Sequence, residues 1–110
     1  MAAVWFRPDG RPATPEEARE LLIDGAARLL AQDFVHVGSE VIVISTLFTV
    51  FDHAPSPHGR PLLWETVVAE DEQHQTVARY ASRVEAEQGH QVFKEWVTNR
   101  ALELAGLRSP

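Results

Sequence analysis

Apolar residues occupy both faces of the stretch 40–51, EVIVISTLFTVF. Read as an extended chain, one face carries Ile42, Ile44, Thr46, Phe48 and Val50. The other carries Val41, Val43, Ser45, Leu47, Thr49 and Phe51. A strand of this kind belongs in the middle of a sheet, covered on both sides or covered by a second subunit. Upstream, Ala18, Leu21, Leu22, Ala26, Leu29 and Leu30 recur at three- and four-residue spacing, with Glu20, Asp24, Arg28 and Gln32 opposite. That is the period of an amphipathic helix. Thr14-Pro15-Glu16-Glu17 opens it with a capping residue, a proline at the first helical position and a capping-box glutamate. The periodicity predicts that this helix ends near 31–33.

Short alternating segments follow. Residues 34–37 predict a strand and Gly38-Ser39 a tight turn. Residues 62–69 predict a strand with Leu62, Trp64, Thr66 and Val68 on one face, which places Glu65 mid-strand on the other. Residues 70–75, EDEQHQ, read as an acidic turn, and 76–80 as a last strand. Ser82-Arg83-Val84-Glu85 repeats the capping-box pattern and opens a C-terminal helix whose stripe is Ala86, Gly89, His90, Phe93, Val97, Ala101 and Leu104. Trp5 and Phe6, ahead of a Pro-Asp-Gly turn, are expected to anchor the N-terminus. The segments between strands are too short for parallel crossovers, so the strands pair antiparallel. The expected fold is α+β: a three- to four-stranded antiparallel meander with an N-terminal and a C-terminal helix. Residues 1–110 form a single domain, with an N-terminal turn and helix over about 1–32, the sheet over about 34–80 and the C-terminal helix over about 82–105.

Composition narrows the function classes. In 110 residues there is no cysteine, hence no disulfide, thiolate metal site or cysteine nucleophile. A net charge of −6 with scattered basic residues disfavours nucleic acid as a partner. No apolar run spans a bilayer, and the opening MAAVWFRPDG lacks the charged and apolar regions of a secretory signal, so the expected setting is the cytoplasm without a membrane partner.

Candidate chemistry gathers at Asp52, His53, Glu65 and His90. Imidazole and carboxylate groups suit a divalent metal, for which Asp52, His53 and His90 are the candidate ligands, or general acid/base work. No close histidine pair, phosphate loop or nucleophile elbow accompanies them. The bland alternatives carry more weight: His90 as a packed core histidine with one hydrogen-bond partner, Glu65 as an ion pair with Arg79, and Asp52 as an acceptor for loop amides. The balance stands against an enzyme and against a bound cofactor.

Three segments, STLFTVFDH, PLLWETVV and RYASRVEAEQGH, resemble a group of small uncharacterised proteins from actinobacteria and their bacteriophages. The resemblance runs through Ser45, Thr46, Asp52, His53, Pro61, Leu62, Leu63, Glu65, Thr66, Arg79, Tyr80, Gly89 and His90. The loop APSPHGR is poorer in glycine than the group's pattern, and Ala81-Ser82-Arg83-Val84 lacks its usual aromatic. The resemblance implies the domain limits and a phage or actinobacterial setting; it implies no reaction. The leading expectation is a small binding or adaptor protein working through protein–protein contacts, with a protein partner or self-association. The alternatives are the metal-dependent or acid/base enzyme above and a phage-encoded inhibitor of a host defence or transcription protein, whose acidic surface would meet a basic target.

Overall fold

The computed structural model describes residues 5–52 and 59–108, with the side chains of the last helix described through Leu104. The elements run α1 (Pro15–Ile23), α2 (Gly25–Arg28), β1 (Leu29–Val37), β2 (Glu40–Phe48), β3 (Trp64–Glu70), β4 (Gln73–Tyr80) and α3 (Arg83–Arg108). The four strands form one antiparallel sheet in the order β1-β2-β3-β4. The fold is α+β, and the doubly apolar strand occupies an inner position as its pattern demands.

Local chemistry sets the boundaries. Thr14 and Glu17 complete the capping box of α1. The expected continuous helix to 31–33 is corrected: Asp24 breaks it by accepting the amide of Ala27 at 3.0 Å, which starts the four-residue α2. β1 then begins at Leu29, so Leu29 and Leu30, which kept step with the helical stripe, belong to a strand. The β1–β2 turn is two residues long, with Gly38 at φ 63°, a conformation that glycine adopts without steric cost. β2 stops three residues earlier than expected, because Val50 takes φ 71° and turns the chain away. The acidic turn shrinks to Asp71-Glu72, and residues 73–75 join β4.

Covering is one-sided. α3 lies across all four strands. Its face of the sheet carries Asp33 from β1, Ile44, Thr46 and Phe48 from β2, and Trp64 and Thr66 from β3, the residues that pair across the register. Ala18 of α1 joins Phe48, Val50, Leu63, Trp64 and Ala86 in one buried cluster, with Leu21, Trp5 and Phe6 packed against it. Phe6 is tied down by its amide, which donates to the Val50 carbonyl at 2.7 Å. The Phe48 and Trp64 rings sit 5.1 Å apart and tilted by 51°. α1 therefore packs on the same side of the sheet as α3, and among the described residues no helix covers the opposite face.

Candidate functional site

The covered face holds a continuous chain of polar side chains. Asp33 points inward from β1 because it alternates with the outward Gln32 and Phe34. Thr46 and Thr66 are directly opposite each other on β2 and β3. His90 comes down onto them from the buried stripe of α3, one turn after Ala86. Tyr80 closes β4 opposite Trp64. Thr46, Thr66 and His90 are each 0 % exposed.

The distances join these groups into one path. The Asp33 carboxylate lies 2.7 Å from His90 Nε2, and His90 Nδ1 lies 2.7 Å from Thr46 Oγ1. Thr46 Oγ1 is 2.6 Å from Thr66 Oγ1, which is 2.9 Å from the Tyr80 hydroxyl. Lys94 Nζ sits 3.3 Å from the second Asp33 oxygen. A carboxylate only accepts, so His90 Nε2–H donates to Asp33. Hydrogen-bond accounting for a neutral ring then assigns every other proton. In that tautomer Tyr80 donates to Thr66, Thr66 to Thr46, and Thr46 to His90 Nδ1. Each buried hydroxyl gives once and receives once. The hydrogen bond from His90, helped by Lys94, holds the Asp33 carboxyl below its ordinary value.

Chemically this is a sealed arrangement. Thr46, His90 and Asp33 are the residue types of a nucleophile–base–acid relay, but the ring is reversed: the hydroxyl sits on Nδ1 and the carboxylate on Nε2, opposite to serine-protease triads. Thr46 has no surface through which a substrate could reach it. The chain ties α3 to all four strands instead. Gly89 is required beside it, since a Cβ there would run into the Tyr80 ring.

The four residues singled out by sequence fare differently. His90 is buried on the α3 side, with two partners where one was expected. Glu65 adjoins Thr66 in the same strand, so it faces the opposite side of the sheet. There it sits 3.7 Å from Arg79. The sheet therefore separates Glu65 from His90, and these two share no pocket. Asp52 accepts the Leu62 amide at 3.2 Å, which is the loop-fixing role. His53 lies outside the described residues. Among the described residues, no group of three or more His, Asp or Glu converges as a metal site. Sequence reasoning passed over Asp33 and Lys94. The available signal was Asp33's place on the inward face of a strand, a costly position for a carboxylate unless it is paired. Thr46, Thr66, Tyr80, Gly89 and His90, from three separate segments of the sequence, meet here.

The uncovered face is built oppositely. By register it carries Phe34 on the edge strand β1, Val41, Val43, Ser45 and Leu47 on β2, and Val67 and Ala69 on β3, with Gln32 Nε2 donating to Ser45 Oγ at 2.9 Å. Phe34 is 59 % exposed. Its charged pair, Glu65 and Arg79, sums to zero, although the whole chain carries −6. Among the described residues no helix is long and apolar enough to cross a membrane. No family model, curated protein or solved structure matches this chain.

Proposed function

We propose that the protein is a small binding or adaptor module that works through protein–protein contacts, with the uncovered sheet face as its contact surface and a second copy of the chain as its first occupant. One observation carries this reading: a four-stranded sheet face with mostly apolar inner-strand positions, no net charge from its Glu65–Arg79 pair, and no described helix covering it. Four strands about 4.8 Å apart and up to nine residues long present a face of about 550 Å² before corrugation, about two-thirds of the roughly 800 Å² per partner of a standard interface and in the range of a weak dimer. A neutral patch lets two copies of an acidic chain meet without bringing like charges together. A phage or actinobacterial setting belongs to the same proposal and rests on the resemblance of the segments around β2, β3 and α3.

Sedimentation of the protein and of Phe34→Glu tests it. The expected result is a dimer or larger species for the parent and a folded monomer for the variant. The enzyme reading loses ground, because its candidate residues Glu65 and His90 face away from each other and His90 is sealed.

A further inference from the structure

A second surface lies on the other side of the sheet, beside α3. α3 leaves part of β3 and β4 open along one flank, and the gap is a groove of about 460 Å³. Its walls are Val68 and Val77 from the strands and Val92, Phe93 and Trp96 from the helix. Trp96 is 63 % and Val92 62 % exposed, one turn apart on the same flank. An exposed tryptophan beside an apolar trough is the commonest anchor of a binding hot spot. The volume falls within the range of ligand pockets.

The unpaired charge beside the groove is acidic. Glu70 lines it and continues into Asp71 and Glu72 of the β3–β4 turn, all three exposed. None of the three has a cationic side chain within 4.0 Å among the described residues. Arg100, one turn past Trp96, carries its own partner, Glu103, at 3.4 Å. The geometry points to a docking groove for a basic amphipathic segment of a partner protein. Its apolar side chains would enter beside Trp96, and its lysine or arginine side chains would reach the Glu70–Glu72 corner. This helix-in-groove mode needs a short apolar stripe on the ligand and complementary charge at the rim. The groove is on the α3 side, so it is independent of the sheet face assigned to self-association. With two separate surfaces, the chain can join a copy of itself to something else.

The test uses two synthetic peptides of one amphipathic pattern, a leucine/lysine peptide and its leucine/glutamate counterpart, titrated into the full-length protein. The Trp96 indole N–H signal is followed by NMR. The expected result is saturable binding of the lysine peptide that shifts the Trp96 signal, weakens with salt and drops at least about tenfold in Trp96→Ala. Glu70→Lys should weaken it as well. Phe34→Glu, which disrupts the other surface, should leave it unchanged, so this groove and the sheet-face reading fail separately. The inference is overturned by no binding, by equal binding of the glutamate peptide, by binding that survives Trp96→Ala, or by a change in the free protein's mass in Trp96→Ala, which would make a second copy the occupant. Trp96 is largely exposed, so its removal leaves folding intact, and circular dichroism checks this.

Discussion

The two faces of this sheet differ in how their unusual residues are accommodated: the apolar core of the covered face contains a polar chain, and the open face displays apolar side chains among its polar ones. The buried side is threaded by threonine, histidine, tyrosine and aspartate side chains, while the exposed side shows phenylalanine, valine and leucine. Each arrangement is intelligible by accounting. A buried polar group costs little when every donor and acceptor meets a partner, and the chain from Tyr80 to Asp33 meets that condition. An exposed apolar group cannot be satisfied within one chain; only a covering surface removes it from water. The polar chain is thus satisfied within one chain, although Trp64 Nε1 on the same face is buried without a hydrogen-bond partner among the described residues, and no described helix covers the open face.

The largest effect is expected from breaking the covered side. His90→Ala removes a fully buried ring and takes one hydrogen-bond partner each from Asp33 and Thr46, at a cost of about 3 kcal/mol. Chemical denaturation would read it directly. A loss within about 0.5 kcal/mol, typical of surface positions, would mean that the polar chain is incidental to the fold.

Gly89→Ala comes next. The new methyl group meets the Tyr80 ring, which must swing away from Thr66, so about 1–3 kcal/mol should be lost. The same substitution placed on Tyr80→Ala should cost much less, because the obstruction is gone. Equal costs on both backgrounds would show that the helix, not the ring, sets the requirement.

Acid should erode the same side more gently. Asp33 is held below its ordinary carboxyl value in the folded chain, so its contribution is present above that value and is lost as pH falls through the folded one. The Arg7–Glu17 pair adds to the slope, since the Arg7 guanidinium holds Glu17 down to about 2. Asp33→Asn should therefore flatten the fall of stability below about pH 4, with the part due to Glu17 left in place. An unchanged slope in Asp33→Asn would remove Asp33 from the acid response.

How much of this was legible in the residues follows from the range of the interactions. Local signals were accurate: Thr14 caps α1 with Glu17, Ser82 Oγ accepts the Glu85 amide, and Gly38 turns the first hairpin. The second box is only half formed, because Glu85 reaches the Ala81 amide instead of that of Ser82. The central place of β2 was legible from its two apolar faces. Leu29 and Leu30 misled, since two leucines fit a helical stripe and a strand equally well, and the Asp24 cap decided between them. The buried chain was not legible. His90 and Thr46 are 44 residues apart, and Asp33 and His90 57. No periodicity reports on such a distance. Alternation does place Glu65 and Thr66 on opposite faces, but it does not say which face α3 covers, so Glu65 was grouped with His90 until the structure separated them.

The smallest effect on stability, and the most direct test, belongs to the open face. Phe34→Glu exchanges an exposed ring for a charge and should change folding stability by no more than about 0.5 kcal/mol. Sedimentation equilibrium of the parent and this variant should show a self-associated species that becomes a monomer on substitution. A parent that stays monomeric at every concentration, or a variant that associates as the parent does, would contradict the assignment of that face as a contact surface between copies of the chain.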